Sequence, residues 1–203
     1  MLPIILIPFI SLVQGISLPR RDESTPSGGP VYVACVTDTT FSSLNSGIGI
    51  NATTREECSL SCTTTKWDVA YYREDNSSCH CTTVEESPKS DEIVYAIDQV
   101  GNCRSQDDAS VEYLHSSYTL CECILPPLPN STTNFTSPSS IQCLTDCPGD
   151  TSTISIRPEY NSVKDTFEYE CGCYTDTTGS QIGEGEGQKT DCGFGIESIY
   201  VKV

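Results

Sequence analysis

Histidine is nearly missing from this chain, with two in 203 residues, and methionine and tryptophan occur once each. Neither His80 nor His115 stands at a spacing from cysteine typical of a zinc site. There is no Gly-x-Ser-x-Gly, and the many Ser and Thr residues have no evident base, so no catalytic constellation emerges and no cofactor is implied. Positive charge is scarce too: 11 Lys and Arg against 28 Asp and Glu leave a formal net charge of -17. That balance disfavours nucleic acid and anionic membranes, and makes a neutral or cationic partner easier to accept. Long apolar runs are also lacking. Leu2 to Val13 is the only one, too short to span a bilayer, and the C-terminal Tyr200-Val201-Lys202-Val203 shows no lipid-anchor tail. The mature chain is therefore expected to be soluble, with no membrane span.

Cysteine is what the chain has in plenty, 13 residues against a hydrophobic content of only 36%. Thiols at this density are oxidised outside the cell. Residues 1–15 fit a secretory signal peptide ending near Gly15. Residues 16–30 read as a flexible leader that contains a dibasic pair, Arg20-Arg21, open to processing. Sequons at Asn51, Asn76, Asn130 and Asn134 place N-glycans on exposed loops in a eukaryotic host.

The cysteines repeat. Cys58, Cys62, Cys79 and Cys81 form Cys-x-x-x-Cys followed by Cys-x-Cys, and Cys143, Cys147, Cys171 and Cys173 form it again. Positions i and i+4 share a helix face and i and i+2 share a strand face. Each set thus reads as a short helix offering two thiols to a strand that offers two. Thr54 with Glu57 is a capping box before the first helix, and Ser137-Pro138 signals the start of the second. Trp67, Val69 and Tyr71 alternate with polar or outward positions as a strand does, and so do Phe167, Tyr169, Cys171 and Cys173. A late cysteine, Cys103 or Cys192, precedes a short apolar closing strand in each unit. The chain divides into module 1 (31–115) and module 2 (118–203), each an α+β unit with a helix packed on an antiparallel sheet. Each is of roughly 85 residues, a size at which disulfides supplement a thin core.

Tyr32-x-x-Cys35 and Tyr118-x-x-Cys121 set the register of the two units, so Cys121 matches Cys35 and Cys123 is left over. Six cysteines per unit allow 15 pairings. Geometry favours a first-to-last bridge with two helix-to-strand bridges, in the nested order Cys35–Cys103, Cys58–Cys81 and Cys62–Cys79. Cys123 could join another chain in a covalent dimer, stay a free thiol, or displace Cys121 from its bridge.

At these residues the chain resembles the WSC domain, the cysteine-rich module of fungal cell-wall stress sensors and secreted carbohydrate-active proteins. The resemblance lies in Cys35-Val36-Thr37-Asp38, the helix Glu57 to Cys62, Cys79-His80-Cys81 and the ending Cys192 to Tyr200. WSC domains usually carry eight cysteines, and the pair expected between Cys-x-Cys and the final Cys is missing from both units. The six-cysteine layout is also similar to the PAN/apple module. The first resemblance implies a secreted or cell-wall protein binding a glycan such as β-glucan. The second implies surface proteins as partners too.

Sugar rings present C–H faces that stack on aromatic rings. Trp67, Tyr71 and Tyr72 in unit one, with Tyr160, Tyr169 and Tyr174 in unit two, are the carbohydrate-binding candidates. Tyr72 is the one expected to point outward, since Trp67 and Tyr71 share a face with Val69. The carboxylates could be paired into a glycosidase, but two modules this small seldom frame such a cleft. The Gly183 to Gly187 run could offer two carboxylates to calcium, although it lacks the ligand order of an EF-hand and reads as a solvated turn.

Overall fold

The computed structural model describes residues 28–98, 101–126, 131–175 and 188–203. The signal-peptide segment 1–15, the leader as far as residue 27, the sequon at Asn130 and the run Gly183 to Gly187 lie outside them. Among the described residues, no helix is long and apolar enough to cross a membrane.

The fold is α+β, rich in disulfides and dominated by two antiparallel sheets. Residues 29–116 form β1 (Gly29–Val36), α1 (Asp38–Ser42), β2 (Ile48–Asn51), α2 (Arg55–Thr64), β3 (Val69–Arg73), β4 (Ser78–Thr82), β5 (Ile93–Val94) and β6 (Ala109–Ser116). Residues 118–202 form β7 (Tyr118–Ile124), β8 (Thr133–Ser137), α3 (Ser140–Asp146), β9 (Thr151–Asn161), β10 (Thr166–Thr175) and β11 (Glu197–Lys202). The first sheet runs β2-β4-β3-β6-β1-β5 and the second, read from its far edge, β8-β10-β9-β11-β7. The two orders coincide strand for strand, with β5 added to the first.

Local chemistry sets the helix ends. Thr54 caps α2, its side chain accepting from Glu57 N at 3.1 Å, while Glu57 Oε2 reaches back to Thr53 N at 2.8 Å. The second helix starts later than Ser137-Pro138 predicts. Ser137 is the last residue of β8, since the residue before proline is pushed to extended backbone, and Ser139 is the cap, accepting from Ile141 N at 3.2 Å. Cys147 is the extended residue just beyond α3 rather than part of the helix.

The helix-to-strand bridges are Cys58–Cys79 and Cys62–Cys81, with Cys143–Cys171 and Cys147–Cys173 in the second half. This corrects the nested order. β3 turns back from α2 and β4 turns back again, so β4 runs in the same direction as the helix. Four helical residues rise about 6 Å and two strand residues about 6.6 Å, which keeps both pairs in step only when first meets first. The Sγ atoms of Cys58, Cys62 and Cys79 lie within 4.8 Å of one another, but each is in a disulfide and none is a thiolate able to bind a metal.

The long bridges are Cys35–Cys103 and Cys123–Cys192, and Cys121 is free and exposed. The match of Cys121 to Cys35, and the covalent dimer through Cys123, are thereby corrected. Register explains it. In β1 the pairing with β6 skips Val33, between Tyr32↔Glu112 and Ala34↔Val111. In β7 the pairing with β11 skips Cys121, between Leu120↔Tyr200 and Glu122↔Ile199. Each strand has a bulge two residues before its bridged cysteine, so Cys121 stands in the place of Val33 and Cys123 in that of Cys35.

The two sheets bury their inner faces against each other in one core. Val33, Val69, Tyr71 and Val111 from the first meet Ile154, Ile156, Tyr169 and Tyr200 from the second. Phenolic hydroxyls at the seam donate to backbone carbonyls of the other half: Tyr200 to Tyr32 O at 3.1 Å and Tyr169 to Pro88 O at 2.9 Å. Burial holds both phenols well above their ordinary pKa, so they stay neutral donors. The outer face of the first sheet carries α2 over Ala70, Leu114 and the two short bridges.

Because the core is shared, denaturant unfolding is expected to be one transition by probes in either half, and Tyr169→Ala should cost about 3–5 kcal/mol. Two separate transitions would contradict the shared core. Cys123→Ser should lose about 2–4 kcal/mol, whereas Cys121→Ser should leave the midpoint unchanged. Equal losses would show that the bulge register is wrong.

Candidate functional site

Three of the six aromatic candidates cannot present a ring. Tyr71 and Tyr169 are 1% exposed and Tyr174 is 3% exposed. Tyr71 donates to Glu86 O, Tyr169 to Pro88 O, and Tyr174 packs with Ile124 and Ile199. Tyr71 and Tyr169 lie in the core between the two sheets, and Tyr174 is buried in a separate cluster on the other face of the second sheet. Trp67 is half-buried just after α2, its backbone N–H donating to Cys62 O at 3.0 Å, and it packs on the helix side with Ala70, not on the face of Val69 and Tyr71. Tyr72 is half-buried on that side too, and its hydroxyl donates to Thr53 O at 2.9 Å. Tyr160 is exposed.

Tyr160 is not alone. Its ring lies 5.1 Å from that of Phe167, tilted by 54°, and Phe167 lies 5.9 Å from Phe194 at 63°. Tyr95 continues the row, its hydroxyl donating to Phe194 O at 3.3 Å, and the Arg104 guanidinium stacks 5.3 Å from the Tyr95 ring centre. Tyr160, Phe167 and Tyr95 are 46%, 48% and 42% exposed. The row crosses from the second sheet to the segment following β5.

Each ring is placed by its local structure. Tyr160 and Phe167 are a cross-strand pair of β9 and β10. β11 pairs with β9 only over Thr153 to Ile156, so this end of the hairpin projects past the covered part of the sheet. Phe194 occupies the corner of a turn closed by Ile196 N to Gly193 O at 3.2 Å, with Gly195 at φ +76°. A positive φ at the third turn position selects glycine. Gly195 N donates to Pro158 O at 2.8 Å and ties the turn to β9. Gly193 lies against the Tyr95 ring so closely that a Cβ there would come within 2.3 Å of it.

A charged network underlies the turn. Arg157 reaches Glu159 at 2.9 Å, Glu197 at 3.7 Å, and Glu170. Glu197, buried at the start of β11, has its carboxyl pushed up to about 7, by burial first and then by the repulsion of Glu170 and Glu159 against the pull of Arg157. The polar rim of the row includes Asp165, which accepts from the Tyr160 hydroxyl, and Asp191, paired with Arg104 at 2.9 Å. His80 and His115 each set Nε2 against a backbone carbonyl, of Ser46 at 2.6 Å and of Trp67 at 3.1 Å. Among the sequons, Asn51 and Asn134 lie exposed on the outermost strands β2 and β8, and Asn76 on the β3–β4 turn.

Comparisons with protein-family models, with curated proteins and with solved structures return no match for this chain.

Sequence reasoning found Tyr160 but missed Phe167, Phe194 and Tyr95 as its companions. The signal for Phe194 was present, as an aromatic residue between two glycines, which marks an exposed turn. Nothing local could place Tyr95 beside it, 99 residues away.

The Glu197 carboxyl gives the fold a pH dependence of definite sign. Between its ordinary 4.5 and about 7 the folded state keeps the proton while the unfolded state releases it. Stability therefore falls as pH rises through that window, by up to about 3 kcal/mol. Glu197→Gln should flatten the fall in denaturation midpoint between those limits. An unchanged pH profile in that variant would show that Glu197 is not the group responsible.

Proposed function

We propose that this chain is a secreted, N-glycosylated, non-enzymatic binding protein that associates with cell-wall polysaccharide of the β-glucan type through the row Tyr160–Phe167–Phe194–Tyr95. The observation that carries this reading is the row itself: the exposed rings of Tyr160 and Phe167 in contact with the half-buried Phe194, and the exposed Tyr95 joined to Phe194 through its hydroxyl, with hydroxyl, carboxylate and guanidinium groups at the rim. Soluble proteins seldom expose contiguous apolar surface without a use for it. Apolar ring faces suit the C–H faces of pyranoses, and the rim groups suit their hydroxyls.

Ring tilt bears on which glycan. Successive planes differ by 54° and 63°, so the row is faceted. A flat, ribbon-like chain such as cellulose can lie on only one facet at a time, while a β-1,3-linked glucan turns along its length and can offer a fresh ring face to each aromatic. The WSC resemblance of the cysteine framework points to the same class of ligand, and the disulfides suit an extracellular setting.

A protein partner is the second reading. Tyr, Phe and Arg are the residues enriched at protein interfaces, and Arg104 stacked on Tyr95 at the end of the row favours it.

Retention of the oxidised protein on insoluble β-1,3-glucan, chitin and cellulose tests the choice. The glucan should retain it best. Phe167→Ala and Phe194→Ala should each weaken retention about fivefold or more, the worth of about 1 kcal/mol of ring contact, with little change in melting temperature. No retention on any polymer, together with saturable binding to a surface protein, would favour the second reading.

A further inference from the structure

We propose that the cleft at the start of α2 is a second, charge-selective subsite that takes the protonated amine of an aminosugar; this rests on the glycan reading and extends it to another face of the molecule. The cleft has a volume of about 450 Å³ and lies between the N-terminal turn of α2, the β3–β4 turn and the segment leading into β6. Volumes of this order hold one to a few sugar-sized groups.

Tyr72 gives the cleft its aromatic wall. With its hydroxyl donated to Thr53 O at 2.9 Å and its edge packed on the cluster around the short bridges, the ring is fixed in orientation and offers π surface to a cation or a C–H face. Glu56, Glu74 and Asp108 also line the cleft. The charge of Arg55, the one cationic residue of the lining, is already engaged: its Nε is 3.1 Å from Glu112 Oε1, and both side chains are largely buried, at 16% and 12% exposure. Asp108 has no ion-pair partner among the described residues, and burial raises its carboxyl above the ordinary range. Glu56 is itself 3.8 Å from Arg55 Nη2, so among the described residues the lining presents two carboxylates without an ion pair, Glu74 and Asp108, beside one neutralised cation.

The independent observation is Ser110. It lines the same cleft, is only 6% exposed, and its hydroxyl has no hydrogen-bond partner. It stands directly across from Tyr72 in the β3–β6 ladder. Buried hydroxyls are ordinarily paired, so this one marks a wall where a donor or acceptor from a ligand is wanting. Its counterpart in the second half, Ser198, sits 3.5 Å from Cys123 Sγ.

An ammonium supplies what the cleft lacks: positive charge for the carboxylates and a cation for the Tyr72 face, with the net charge of -17 aiding its approach. N-acetylation removes that charge and leaves the carboxylates unpaired on binding. Selectivity for amine over acetamide follows.

Titration of the intact oxidised chain, by calorimetry and by amide NMR, with the β-1,4-linked glucosamine disaccharide, its N-acetylated form, Nα-acetyl-lysine amide and a neutral β-1,3-glucan oligosaccharide tests this. The glucosamine disaccharide should saturate, shift the amides around Tyr72, Gly101 and Ser110, and weaken with salt, with its acetylated form at least tenfold weaker. Glu74→Gln and Asp108→Asn should weaken it several-fold without altering the melting temperature, which avoids the packing role of Tyr72. Phe167→Ala should leave it untouched while weakening the neutral glucan, so failure of the row and failure of the cleft are separable. Equal binding of the acetylated sugar, shifts spread over the acidic surface without saturation, or unchanged affinity in both carboxylate variants would overturn the proposal. Lysine amide binding as well as the disaccharide would overturn the aminosugar assignment.

Discussion

Burial of two sheet faces against each other is the constraint on which the rest of the molecule depends. Either sheet alone would expose Val33, Tyr71 and Val111, or Ile154, Tyr169 and Tyr200, to water. With so few large apolar residues, each half finds in the other the surface it cannot supply itself. The seam is sealed by phenols whose hydroxyls reach backbone carbonyls across it, so bulk is buried without stranding a donor. The same closure brings the segment after β5 beside the turn before β11, with Ala96 N donating to Cys192 O at 3.0 Å. Tyr95 and Phe194 meet there. The aromatic row is thus a product of the sheet-on-sheet contact.

The disulfides act on the surfaces that this contact leaves uncovered. α2 is short and polar, with only Cys58, Ser59 and Cys62 buried, and apolar packing alone would hold it weakly. Two bridges to alternate positions of β4 fix both its position and its direction. The long bridges do different work, tying β1 to the segment before β6 and β7 to the segment before β11. With α2 pinned, the Thr54 cap and the Tyr72 hydroxyl bond are held in place at the mouth of the cleft.

What could be read from the sequence followed periodicity. Cys-x-x-x-Cys and Cys-x-Cys announced helix and strand twice, and the pattern at Val69 to Tyr72 announced β3, because side-chain direction repeats with the backbone. Bulges break that logic. The bulge shared by β1 and β7 aligns Cys121 with Val33 and Cys123 with Cys35, two residues off the Tyr-x-x-Cys match, and no local signal separates a bulge from an ordinary step. Bridge order also lay beyond the motif, since it depends on the path of the chain between the two cysteine pairs. Exposure was hardest to read: Phe167 and Tyr169 share a strand face by alternation, yet one is at the surface and the other in the core, according to where the opposing sheet ends. The companions of Tyr160 and the partnerless hydroxyl of Ser110 are both consequences of tertiary closure.

The central claim is that the faceted aromatic row is a glycan-binding surface. Amide and aromatic NMR of the intact oxidised protein, titrated with a soluble β-1,3-glucan oligosaccharide, tests it most directly. The account predicts saturable shifts centred on Tyr160, Phe167, Phe194 and Tyr95, with the buried rings of Tyr71 and Tyr169 unmoved. Saturable binding whose shifts lie elsewhere, or no shift at any concentration, would contradict it.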